Sequence, residues 1–228
     1  MRYDITYGKR RIPLYRTHAA PLVGVRPIPE SPFAGRGNEL VAAEIDVEVH
    51  GDDFLPAYTD GDNATIVATD SMKNFVIRET LESLCHHLAT GFAAAYERLG
   101  DLRLTARELP FAGAPVPAEG GFVPSDNLFD SRRGDFGEAT LRVQRGDDGS
   151  SAIVDHRCGR RDIHLMKLSG SAFTAFVRDG YTTLPDRRDR PLYIFLDVAW
   201  RYADPGDALG ADPARYVPSE QVRDICAT

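Results

Sequence analysis

In the segment "LVAAEIDVEVHG", Val41, Ala43, Ile45, Val47 and Val49 alternate with Ala42, Glu44, Asp46, Glu48 and His50. A period of two predicts a strand with one buried and one wet face. A partner strand is expected through "YDITYGKRRIPLYRT", where Gly8 and Pro13 point to a bulge or an edge position. The stretch "VATDSMKN", Val67 to Asn74, begins as a buried strand and turns polar, so that Thr69 or Asp70 could cap a helix starting there. Beyond it, Leu84, Leu88, Phe92, Ala95 and Leu99 recur at the spacing of one buried helix face. A further strand follows at "LRLTARELPF". This order describes an α+β protein, an antiparallel sheet covered on one face by helices.

The Pro- and Gly-rich "FAGAPVPAEGGFVPSDN" predicts a long loop, whereas "EATLRVQR" and "SAIVDHRC" flank "GDDG" as two strands flank a hairpin turn. From about Arg160 the pattern restarts. "DIHLMKLSGSAF" gives one strand and "PLYIFLDVAWRY" another, with Leu192, Ile194, Leu196, Val198 and Trp200 on one face, and "SEQVRDICA" opens a helix at a Ser219 cap. Two units are therefore expected, 1–159 with an added hairpin and a partial repeat at 160–228. The second stops after strand, strand and helix start, which leaves a strand edge open to a partner.

Composition narrows the function. The chain has 228 residues, 43% hydrophobic and 27% charged, with a net charge of −7. That balance suits a soluble globular protein and disfavours nucleic acid as a partner, because phosphate backbones call for clustered positive charge. Its lysines are Lys9, Lys73 and Lys167 alone, and its cysteines are Cys85, Cys158 and Cys226, far apart and without C-x-x-C spacing. Neither a disulfide framework nor a zinc knuckle is indicated. No stretch has the length of an apolar membrane span and the N-terminus lacks a signal-peptide core, so a cytoplasmic location is expected.

Several blocks together carry a resemblance. They are "YGK" at Tyr7 to Lys9, "IPESPFAGR" at Ile28 to Arg36, "YTDGDNATIVATDSMKN" at Tyr58 to Asn74, "FVRDGYTTLPDRRDRPL" at Phe176 to Leu192, and "DPARYVPSEQVRD" at Asp212 to Asp224. In that order, across nearly the whole chain, they resemble urate oxidase, the cofactor-independent uricase, of the bacterial type. The resemblance implies a tunnelling fold, in which units of four antiparallel strands and two helices join their sheets between subunits into a barrel, with the acids of the Glu44–Glu48 strand facing the tunnel. It implies oxidation of urate by O2 and water to 5-hydroxyisourate and hydrogen peroxide, with no metal or flavin, in a homotetramer whose sites lie between subunits.

The same resemblance assigns residues. Lys9 of "YGK" and Thr69 of "ATD" would form the proton relay, and the Asp70 backbone would help to place the purine while its side chain remains free to cap a helix. From the neighbouring subunit, Phe173 would stack on the purine, Arg190 would grip it in a bidentate manner, and Leu184 would form an apolar wall. Physical chemistry allows these roles: a lysine acts as a base when burial or a cationic neighbour lowers its pKa, and a planar guanidinium suits a planar anion. Members of the family continue for roughly 70 residues more, a loose length comparison. That portion carries a glutamine of the clamp and an asparagine and histidine near the dioxygen site, so this chain is expected to lack them. The alternative is a catalytically impaired, truncated purine-binding or assembly subunit. Zinc-dependent relatives of the fold need a His and Cys cluster that the sequence does not offer.

Overall fold

The computed structural model describes residues 5–19, 39–51, 54–62, 64, 80–96, 99–131, 133–146 and 148–227. Strands β1 (Ile5–Ala19), β2 (Glu39–Gly51), β3 (Asp101–Glu108), β6 (Phe136–Arg145), β7 (Ser151–Lys167) and β8 (Leu192–Trp200) form one antiparallel sheet in the order β1-β2-β3-β6-β7-β8. Strands β4 (Phe111–Ala118) and β5 (Gly121–Ser131) form a separate two-stranded ribbon. Three α-helices are described: α1 (Leu55–Thr59), α2 (Leu81–Ala95) and α3 (Ser219–Ala227).

The alternation in β2 does what it predicts. Ile45, Val47 and Val49 are buried in a core with Leu102 and Leu104 of β3, Leu141 and Val143 of β6, and Leu84, Leu88 and Phe92 of α2. Each such side chain, fully buried, contributes about 1.5–3 kcal/mol before entropy is counted. Glu44, Asp46 and Glu48 lie on the other, helix-free face, where Arg10 meets Glu48 and Arg11 meets Glu44. On that face, Arg107 bridges Asp46 and Glu138, and Arg161 bridges Glu138 and Asp197, so charges of alternating sign cross from β2 to β8.

One expectation changes. The Pro-rich segment is the β4–β5 hairpin, not a loop, with Val116 opposite Val123 and its turn at Glu119 and Gly120; Gly120 and the first β5 residue, Gly121, are both at positive φ. In a two-stranded ribbon every strand is an edge, so Pro115, Pro117 and Pro124 can sit where no ladder N–H is required. The helix that follows "VATDSMKN" begins at Leu81 and is capped by Thr80, whose side chain accepts the Ser83 N–H in a reciprocal capping box. Residues 65–79, and with them the expected cap at Thr69 or Asp70, lie outside the described residues. The expected unit boundary between 159 and 160 falls within β7, one strand interrupted by a bulge between Arg160 and Ile163.

Candidate active site

Lys9 sits on β1 opposite Val47, on the same face as Ile5 and Tyr7. The Tyr7 ring packs edge-on against Phe54, 4.8 Å between centroids, so this is the core side of the sheet at its exposed edge. Next to it, Gly8 cannot carry a side chain, because a Cβ there would collide with the Val47 carbonyl. Among the described residues no hydrogen bond or ion pair engages the Lys9 ammonium. Directly after Lys9 the strand bulges, and Arg11 takes a left-handed φ of 57°. The Arg11 N–H donates to Asp46 Oδ1 at 2.8 Å, and Arg107 donates to Asp46 Oδ2 at 2.9 Å. Burial by itself would raise the Asp46 pKa, but these two donors outweigh it and hold the carboxyl below its ordinary value.

The second cluster lies in the segment between β7 and β8. It is held by backbone hydrogen bonds of 2.8 and 3.0 Å between Phe173 and Arg187, and by Gly170 N–H donating to Asp189 at 2.7 Å. The Arg190 guanidinium lies over the Phe173 ring, 4.8 Å from its centroid, and Arg190 Nε is buried without a hydrogen-bond partner among the described residues. Phe176 stacks on Phe173 at 4.6 Å with 15° between planes, and Arg178 covers Phe176 at 4.7 Å. Arg178 is in turn tied to Asp186 at 2.7 Å and to the Leu184 carbonyl at 3.3 Å. The result is a column in which two stacked rings lie between two cations. Leu184 is 54% exposed.

The structure thus brings Phe173 and Arg190 together and sets Leu184 in the same segment. It does not bring Lys9 to them. β1 and β8 are the two outer strands of the sheet, five strand spacings apart, or roughly 24 Å at 4.8 Å per step. Thr69 and Asp70 lie outside the described residues. His156 and His164 are strand residues: His156 Nε2 accepts the Tyr202 N–H at 2.9 Å, and His164 pairs with Asp162 at 2.8 Å. Among the described residues no three His, Cys, Asp or Glu side chains gather as a metal site would require, and no helix is long and apolar enough to cross a membrane. Sequence reasoning missed Phe176 and Arg178 as part of this column; the signal available was their i+3 and i+5 placement after Phe173 in a segment otherwise short of core residues.

The fold is the tunnelling fold, and solved structures similar to it include oxidases. A urate oxidase from Bacillus sp. TB-90 superposes with a TM-score of 0.87 at 37% identity, covering 97% of this chain and 75% of that one. A uricase from Bacillus fastidious gives 0.87 at 41% identity, covering 97% and 72%. The chain is 46% identical to the uricase of Haloferax volcanii over 97% of its own length and 74% of the relative's. It is also 39% identical to the uric acid degradation bifunctional protein of Bacillus subtilis, spanning 47% of that longer protein. A sequence model of the family described as uricase matches residues 156–228. The chain belongs to the uricase family.

Proposed function

We propose that this protein oxidises urate with O2 and water to 5-hydroxyisourate and hydrogen peroxide, as a step of purine breakdown. The carrying observation is the Arg190–Phe173 contact in a chain of this family: a flat ring and a flat cationic fork at one place, the fork's Nε having no hydrogen-bond partner among the described residues. Phe173 offers a stacking face for the purine and Arg190 a bidentate hold on its oxygen and nitrogen, with Leu184 as an apolar wall; since Arg190 covers the Phe173 face that Phe176 leaves open, binding has the guanidinium swing from that face to the purine edge. Lys9 and Thr69 pass the protons, and the Asp70 backbone orients the ring. Urate is electron-rich as its anion, so the protein supplies binding, proton removal and placement of dioxygen rather than electrons.

Since Lys9 and Arg190 belong to opposite edges of the sheet, a complete site draws on two chains. Among the described residues nothing pairs with the outer edges of β1 and β8, which supports joining of sheets between copies, and a homotetramer is the assembly proposed. The test is urate loss and peroxide release by the purified protein at a measured oligomeric mass. Activity lost in both Lys9→Ala and Arg190→Ala supports the reading. A folded oligomer that binds urate without releasing peroxide would overturn it in favour of a purine-binding subunit.

A further inference from the structure

The bulge after Lys9 has a counterpart in the second half of the sheet. Gly8-Lys9-Arg10-Arg11-Ile12 of β1 runs beside Val47 and Asp46 of β2 as Gly159-Arg160-Arg161-Asp162-Ile163 of β7 runs beside Val198 and Asp197 of β8. Both segments shift register over the same span, and in both the fourth residue is left-handed, Arg11 at φ 57° and Asp162 at φ 58°. In both, its N–H is held by the carboxylate on the neighbouring strand: Arg11 by Asp46 at 2.8 Å, Asp162 by Asp197 at 2.9 Å. Gly8 and Gly159 each lie against the carbonyl of the opposing valine. The two clamps differ in what they aim. Where the first carries Lys9, the second carries Arg160, which is fully buried and spent on Glu108 and Asp135.

Strict alternation would put Lys9 and Ile12 on opposite faces. The extra residue puts both on the core side, where Ile12 is buried, as it does Arg160 and Ile163. A left-handed arginine is costly and leaves an N–H without its ladder partner, so the bulge needs something to hold it. We infer that Asp46 is a positioning residue for the proton relay: by accepting the Arg11 N–H it fixes the bulge that aims Lys9 at the site. This rests on the relay role proposed for Lys9. Asp197 performs the same structural task at a place with no relay residue, so the molecule contains its own control.

The experiment compares Asp46→Ala, Asp46→Asn, Asp197→Ala and Lys9→Met in the assembled enzyme, by kcat and KM for urate together with Tm. The expected result is a kcat for Asp46→Ala lower by roughly 10- to 100-fold, as a displaced catalytic group gives, with KM nearly unchanged. Asp46→Asn recovers most of the rate, because its amide oxygen still accepts the Arg11 N–H. Asp197→Ala lowers Tm by as much as Asp46→Ala yet leaves kcat near that of the unmodified protein. If both alanine variants lose rate only in step with Tm, or if Asp46→Ala keeps its rate while Lys9→Met loses it, the inference fails and the relay reading stands. If Lys9→Met turns over normally, the relay reading itself fails.

Discussion

Arg190 and Phe173 meet across the base of the segment between β7 and β8, guanidinium over ring at 4.8 Å. The contact is one end of the column that continues through Phe176 to Arg178. A ring that must stack on a substrate works best when its own plane is fixed beforehand, since ordering it on binding costs affinity. Phe176 supplies that backing, and Arg178, anchored by Asp186, caps it.

Phe176→Ala is therefore expected to raise the KM for urate by roughly 2- to 12-fold, the equivalent of an aromatic pair worth about 0.5–1.5 kcal/mol, with a smaller change in kcat. Phe176→Tyr keeps the stack and is expected to stay near the unmodified value. Steady-state peroxide release over a urate series measures both, and an unchanged KM in the alanine variant would remove Phe176 from the clamp.

Arg160 presents a different use of charge. It is fully buried, and its guanidinium joins Glu108 at the end of β3, Asp135 before β6 and Ser219 at the start of α3. Arg160→Met leaves Asp135 without the cation it pairs with and Glu108 with only Arg133 at 4.0 Å, so a loss of about 3–5 kcal/mol is expected. The midpoint of urea unfolding measures it. A change below about 1 kcal/mol, the range of exposed ion pairs, would show that the knot is solvated rather than buried.

The parts legible in the sequence were those that repeat. The alternation in β2, β6 and β8 and the spacing of Leu84, Leu88 and Phe92 reflect burial of whole faces, which many residues report at once. The β4–β5 hairpin was hidden because its prolines carry a loop signature that a two-stranded ribbon tolerates. The left-handed residues were hidden for another reason: Arg11 and Asp162 are not glycines, and their conformation is enforced by carboxylates distant in sequence. At the site, Lys9, Thr69, Asp70, Phe173, Leu184 and Arg190 were legible only by family resemblance, since each type alone suits an ordinary strand, loop or core position. The Arg190–Phe173 contact adds a spatial reason for two of them.

Glu82, near the start of α2, is buried and receives the Tyr216 hydroxyl at 3.0 Å. Burial pushes its carboxyl above the ordinary value, against the hydrogen bonds that lower it. A folded-state pKa raised above the unfolded value of about 4.3 contributes stability that is fully present below that value and lost as pH rises through the folded one. Glu82→Gln, which keeps an acceptor for Tyr216 and cannot ionise, should match the unmodified protein near pH 4 and exceed it in Tm at pH 8. Equal Tm values at both pH values would mean that the carboxyl is not held neutral.

His156 gives the opposite slope. It is buried on β7 and its Nε2 accepts the Tyr202 N–H at 2.9 Å, which places the ring proton on Nδ1 and ties β7 to the chain leaving β8. Burial, aided by the Arg201 cation and opposed by Asp155, lowers its pKa. A histidine depressed in the fold contributes stability that is fully present above the unfolded value of about 6.5 and lost as pH falls through the folded one, because the imidazolium has no lone pair for Tyr202. Unfolding midpoints of the unmodified protein should thus decline on the acid side of neutrality, and that decline should flatten in His156→Gln, whose amide oxygen can take the Tyr202 N–H without titrating. The Glu82 contribution runs the opposite way with pH, so the comparison is made in a Glu82→Gln background, where the histidine slope stands without an opposing partner. A slope that survives in the double variant would assign the acid sensitivity to another group of this range, His86 foremost, whose pKa burial and the neighbouring His87 also lower; Asp46 and Asp101, held below their ordinary values, destabilise the fold only at lower pH.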